Sequence, residues 1–308
     1  MSEKPLPFAD RIPLGQGDLV IGPIAYGCWR LQGELRAATA LIEAALESGM
    51  TLIDTADIYG FDGEKGFGDA ESLLGDVLAA TPAMRDQMVL ATKGGVIPGL
   101  PYNSTADYLI SACEASLKRL GTDVIDLYQI HRPDFLTPAP EMAAALTRLR
   151  DDGKVREVGV SNYSPAQVRA LQAHLDFPIA SQQLEFSCWR VDPLYDGTLD
   201  QCEETGAIAL AWSPLAGGRL MTGEAKEAAD APTMQVLLEV LDSLAGDFGV
   251  DRAAVALAFT MAHPAPVVPI IGTQSPARIR AATDAFKVGL TRRDWYDILE
   301  ARLGKPMP

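Results

Sequence analysis

The stretch VIDLYQIH, residues 124–131, decides the fold. It is an apolar run of strand-forming residues that stops on a histidine. Two earlier runs are built alike: TLIDTA (51–56) carries Asp54, and MVLATK (88–93) stops on Lys93. Tyr59 follows the first of them. The starts lie about 36 to 37 residues apart, the length of one strand-helix unit. In a parallel barrel, successive strand ends converge on one mouth, where catalytic residues collect. A carboxylate, a phenol, an amine and an imidazole would therefore meet around one pocket. That set can protonate a carbonyl oxygen while a cofactor delivers hydride.

Outward from these runs the chain keeps alternating. Strands are expected at 21–26, 51–55, 88–93, 124–130, 155–160, 179–184, 207–212 and 266–271. Helices are expected near 36–49, 69–80, 105–120, 139–152, 165–174, 194–205 and 276–287. Ser104 or Thr105 caps the third helix and Gly121 stops it; Ser164-Pro165 and Ser275-Pro276 open two others. Runs such as AIALAW and VVPII are apolar throughout, as in strands buried on both faces. Eight such units in 308 residues point to an α/β fold of the closed (β/α)8, or TIM barrel, type, a single domain over 1–308. Residues 11–20 read as an N-terminal β-hairpin turning at Gly15-Gln16-Gly17, and 291–302 as an extra C-terminal helix capped by Thr291. The stretch 221–250 reads as solvated helix, and the glycine-rich loop 60–68 as a mobile lid or a piece of substrate wall.

Composition narrows the partners. A net charge of −15 argues against nucleic acid and against an anionic membrane surface. The four cysteines are scattered with no CxxC, so neither a disulfide framework nor a metal site is expected, and a cytoplasmic location fits. The N-terminus has no apolar signal region, and no long apolar run suggests a membrane span. No exposed apolar stripe is evident, which leaves a monomer as the default.

The pieces GCWRL (27–31), TLIDTADIYG (51–60), ATK (91–93), LYQIH (127–131), GVSNYS (159–164), QLE (183–185), AWSPLAGG (211–218) and IIGTQSPARI (270–279) occur in an order and spacing that resembles the aldo-keto reductase family almost end to end. The resemblance implies Tyr59 as general acid, Lys93 as the ammonium that lowers the phenol pKa, Asp54 as the group orienting Lys93, and His131 as a hydrogen-bond donor to the substrate oxygen. Each has a plainer reading on its own. Asp54 suits a turn or cap, Tyr59 a packing aromatic, Lys93 a solvated strand end, and His131 a satisfied polar residue.

No GxGxxG opens a helix after a strand, so a Rossmann site is not expected. The loops after strands seven and eight are the alternative phosphate site in a barrel. The resemblance implies NADPH as cofactor. Ser161, Asn162 and Gln183 would hold the carboxamide, and Trp212 would stack under the nicotinamide. Gly27, Cys28, Trp29 and Asp54 would also bind the cofactor. Ser213, Pro214, Leu215, Gly217 and Arg219 would bind the cofactor, with the backbone at Gly217 and Gly218 free to approach the pyrophosphate. Gly272, Thr273, Ser275 and Arg278 would surround the adenosine 2′-phosphate. Two departures are visible: Gly272-Thr273 stands where many members carry Lys-Ser, and Ala281-Ala282 where many carry Glu-Asn. Both imply weaker cofactor holding.

The expected partner is a small-molecule carbonyl substrate, bound at Trp29, Arg30, Tyr59 and His131. Phe61, Tyr102, Phe135 and Trp189 stand on or beside mouth loops and favour apolar carbonyl compounds. Arg30 suits either a substrate carboxylate or, by preference, an acidic neighbour. Two other functions stay open: a cofactor-sensing protein of the channel β-subunit type, and a Schiff-base aldolase using Lys93.

Overall fold

A computed structural model describes residues 4–308. Eight parallel strands close into a barrel: β3 (Ala25–Gly27), β4 (Leu52–Asp54), β5 (Val89–Gly94), β6 (Ile125–Ile130), β7 (Val155–Ser161), β8 (Ser181–Glu185), β9 (Ile208–Trp212) and β10 (Val267–Ile271). They lie in sequence order, and β10 pairs with β9 on one side and β3 on the other. An antiparallel hairpin, β1 (Ile12–Pro13) with β2 (Val20–Ile21), precedes the barrel. Its Ile12, Leu14, Leu19 and Ile21 pack on the inward Leu52, Val89, Leu127 and Leu210, closing the end opposite the mouth. Gly15, at φ +70°, lets the turn lie against Glu157; a Cβ there would fall 2.2 Å from the carboxyl carbon.

Around the barrel stand α1 (Leu35–Glu47), α2 (Asp69–Ala80), α3 (Ala106–Leu120), α4 (Ala139–Asp151), α5 (Pro165–Gln172), α6 (Thr198–Thr205), α7 (Arg219–Thr222), α8 (Ala231–Phe248), α9 (Arg252–Met261), α10 (Pro276–Ala281) and α11 (Arg292–Leu303). Local signals set many ends. Ser164 and Gln167 form a capping box on α5, and Thr291 and Asp294 form one on α11. Gly121 ends α3 in the left-handed conformation. Thr105 takes the N-cap position of α3 without a side-chain bond; the Ala106 N–H is met instead by Glu141 from α4.

Three expectations change. The stretch 221–250 is not a solvated helix: α8 buries Met234, Leu237, Leu241 and Ala245, a three-to-four-residue stripe turned to the core. It leads into α9, which no expected element covered; Asp251 caps α9, and nearly all its residues are buried. The helix expected over 276–287 is α-helical only to Ala281 and continues as a 3-10 segment, Ala282–Lys287. The helix expected from 194 begins at Thr198, because Pro193 lies in a 3-10 turn and Gly197 is left-handed. Loop 60–68 is folded on itself, with Asp62 accepting from the Glu64 and Lys65 N–H groups. Just past the loop, the Ala70 N–H bonds the Tyr59 carbonyl and pins the backbone of that tyrosine.

Candidate active site

Asp54 ends β4, Lys93 lies one residue inside the end of β5, and His131 follows β6. The side chains meet as their strand ends predict. Lys93 is fully buried, which removes the solvated-lysine reading. Its three ammonium hydrogens have three acceptors: Asp54 Oδ2 at 2.7 Å, the Thr55 carbonyl at 2.8 Å and the Tyr59 hydroxyl at 3.0 Å. Burial works against the charge of Lys93, but Asp54 and Tyr59 outweigh it and its pKa is raised. A protonated, saturated amine is no nucleophile, so this geometry speaks against Schiff-base chemistry.

The phenol differs from expectation in one respect. Burial pushes Tyr59 above its ordinary value; Lys93 pulls it down without cancelling that effect. Tyr59 is thus protonated at neutral pH. Since Lys93 donates to its oxygen, the phenol hydrogen is free to point at a substrate. Trp29 and His131 stand edge-on to the Tyr59 ring at centroid distances of 5.1 and 5.7 Å. Burial, with help from Lys93 and Arg132, holds His131 well below the usual histidine range, so the ring is neutral. Its Nδ1 is buried with no partner among the described residues.

A second layer was not expected. Asp54 Oδ1 accepts from Gln129 Nε2 at 3.2 Å and from Gln183 Nε2 at 3.0 Å. Gln129 lies within the LYQIH run and is not among the expected site residues. The available signal was a buried amide in an apolar strand, two residues before His131 and so on the same face.

The residues expected around the nicotinamide lie together. Asn162 has φ +59°, donates to Ser161 Oγ at 2.8 Å and accepts from Trp212 Nε1 at 3.1 Å. That bond fixes the half-buried indole. Ser213 and Ala216 have φ of +51° and +52°. With Asn162, they are the only non-glycine residues at positive φ among the described residues. Strain of this kind collects at functional sites. A Cβ on Gly217 or Gly218 would meet nothing within 4 Å, so this loop faces open space. Arg219 Nε bonds the Ala216 carbonyl and fastens the loop from behind. Ser275 accepts from the Arg278 N–H, while Arg278 itself is exposed. Gly27 adjoins Ile270 so closely that a Cβ would fall 2.8 Å from it. Cys28 is wholly inside the core, its thiol pushed up by burial, so only its backbone can reach the mouth.

Two substrate-side expectations fail. Arg30 does not pair with an acid: it is exposed, enters no ion pair among the described residues, and lies beside Gly272. Trp189 is not an open wall; it is buried beneath Arg302 of α11, whose guanidinium carbon sits 4.3 Å from its ring. Trp29 (61% exposed), Tyr102 and Phe135 do stand open.

A model of the Aldo/keto reductase family matches residues 23–302. A protein of Novosphingobium aromaticivorans named 6-dehydroglucose reductase is 49% identical, with 100% of each chain covered. One of the same name from Agrobacterium fabrum is 37% identical, over 93% of this chain and 96% of that one. Among solved structures, the glycerol dehydrogenase AKR11B4 from Gluconobacter oxydans superposes with a TM-score of 0.83 at 28% identity, covering 97% of this chain and 98% of that one.

Proposed function

The chain belongs to the aldo/keto reductase family, as an NAD(P)H-dependent oxidoreductase of carbonyl compounds, and on that premise we propose that it reduces an aldehyde with NADPH, Tyr59 serving as general acid. The observation that carries this reading is the 3.0 Å bond from Lys93 Nζ to the Tyr59 hydroxyl, backed by Asp54. The phenol is a donor in its ground state, and the anion left after proton transfer forms beside an ammonium. His131 Nε2 offers a second donor to the same oxygen. Together they orient the carbonyl and stabilise charge that develops on it.

The site fits the cofactor. When bound, the cofactor would supply hydride from its nicotinamide. Ser161, Asn162 and Gln183 offer amide and hydroxyl groups for a carboxamide, and Trp212 offers a fixed ring face. The open loop at Gly217-Gly218 gives a phosphate close access to backbone, and Arg278 supplies an exposed cation with no ion pair among the described residues. Arg30 adds another cation at the mouth, available to substrate. We take 6-dehydroglucose, the aldehyde named in two relatives, as the leading substrate.

The test follows absorbance at 340 nm with NADPH or NADH, using 6-dehydroglucose and a panel of aromatic aldehydes. The expected result is oxidation of the cofactor, faster with NADPH, with glucose as product. Cofactor binding without oxidation by any carbonyl would favour the sensing reading instead.

A further inference from the structure

We propose that Gln129 is a positioning residue of the acid–base group, a buried amide held on Asp54 and touching Ser181 across the space left by Gly159, which governs how Lys93 is shared between Asp54 and Tyr59. This rests on the reading of Tyr59 as general acid. Lys93, Gln129, Gly159 and Ser181 are successive register partners across β5, β6, β7 and β8. Parallel partners in register face the same side, so all four positions turn towards the barrel interior with Lys93. A side chain at 159 would block the row: a Cβ there would lie 2.2 Å from Ser181 Oγ and 3.0 Å from Gln129 Cγ. Because position 159 is glycine, β6 and β8 touch over β7, and Ser181 Oγ reaches Gln129 Oε1 at 3.5 Å.

The Asp54 carboxylate, which can only accept, sets which way the amide points: Nε2 faces Asp54 Oδ1, 3.2 Å away, and Oε1 is left to the serine hydroxyl. The reverse orientation would set a carbonyl oxygen against a carboxylate. Gln129 is completely buried in β6, two residues before His131 at the strand's end, so it acts through Asp54 and not on substrate. Asp54 takes a charged donor on Oδ2 and two amide donors on Oδ1. With one amide removed, the carboxylate draws harder on Lys93. Less of the ammonium is then left for the phenol oxygen, and Tyr59 becomes a weaker acid. The titratable groups facing Tyr59 are Cys28 after β3, Asp54 from β4, Lys93 from β5 and His131 after β6. Burial holds the thiol and the imidazole neutral, so Asp54 and Lys93 carry the local charge.

The experiment compares Gln129→Leu, Gln129→Glu and Ser181→Ala with the unaltered chain. One readout is the pH profile of kcat. The other is the ring-carbon resonance of [13Cζ]tyrosine at Tyr59, assigned by its loss in Tyr59→Phe and titrated without substrate or cofactor. In Gln129→Leu, kcat falls about tenfold, as for a lost hydrogen bond to a charged group. The basic limb and the Tyr59 titration both move up by about one pH unit, while cofactor Kd and KM hold within about twofold. Gln129→Glu keeps activity at the acid end, where a neutral carboxyl donates in place of the amide, and loses it as pH rises. Ser181→Ala shifts both readouts the same way by less. An unchanged limb and an unchanged Tyr59 titration in folded Gln129→Leu overturn the inference. Should that variant not fold, an unchanged pH profile and an unchanged Tyr59 titration in Gln129→Glu overturn it. Failure of the general-acid reading looks different: Tyr59→Phe would then turn over normally, and the resonance would still report on Gln129.

Discussion

The two ends of the barrel each hold a buried carboxylate, and they use it in opposite ways. At the closed end, Glu157 Oε1 accepts from the backbone N–H groups of Gln16 and Gly17, at 3.2 Å each. At the open end, Asp54 accepts from Lys93, Gln129 and Gln183. Peptide N–H groups hold no proton that can move at ordinary pH, so Glu157 serves to seat the hairpin. Lys93 does hold one, and it sits between Asp54 and a phenol beside the pocket. The apolar plug of Ile12, Leu14, Leu19 and Ile21 covers one end, while the strained residues Asn162, Ser213 and Ala216 gather at the other. Burying a charge inside a barrel is therefore no mark of function. What matters is whether its partners can exchange protons and whether they open onto the mouth.

Substitutions at each end sharpen that contrast. The largest effect is expected from Tyr59→Phe, which removes the proposed acid and keeps the ring. The turnover rate should fall about a thousandfold, with NADPH binding by fluorescence titration unchanged within about twofold. A rate near that of the unaltered chain would remove the open end's claim to chemistry.

At the closed end, Leu14→Ala empties a fully buried site. Urea unfolding should show about 3 kcal/mol less stability, and kcat per folded molecule should not change. A drop in kcat at constant folded fraction would mean that the two ends are not independent.

The smallest effect concerns Asp57, just behind the acid–base group. Both its carboxyl oxygens are buried without partners among the described residues. Burial raises its pKa well above the usual carboxylate value, aided by Glu71 and opposed by Arg119. The sign follows from linkage. An acid whose folded pKa is raised stabilises the fold least once pH has climbed from the unfolded value through the folded one. Asp57→Asn removes that titration. Its stability relative to the unaltered chain should therefore improve with rising pH, by about 1 to 2 kcal/mol between pH 4 and 8. A pH-independent difference in urea midpoints would show that the pKa of Asp57 is not raised in the folded protein.

Much of this arrangement is legible in the chain. Apolar runs and punctuating glycines mark the eight strands, because a strand buried on both faces has little room for polar residues. Ser164 with Gln167 and Thr291 with Asp294 mark helix starts, because capping needs only residues three apart. Asp54, Tyr59, Lys93 and His131 stand out because strand ends in a parallel barrel share one mouth. The burial of α8 and α9, the freedom of Arg30 and the covering of Trp189 were not legible, since each depends on what a distant segment packs against.

The order of elements and the four polar strand-end positions thus belong to the sequence alone, since period, punctuation and local capping act over a few residues. The tertiary structure decided what those side chains meet. Gln129 reaches Asp54, from 75 residues away in the chain, because barrel register puts Lys93, Gln129, Gly159 and Ser181 in one row. Burial likewise decided the state of Tyr59: a neighbouring ammonium alone would lower its pKa, but desolvation outweighs it. Register and desolvation are properties of the closed barrel, and no short stretch of the chain carries them.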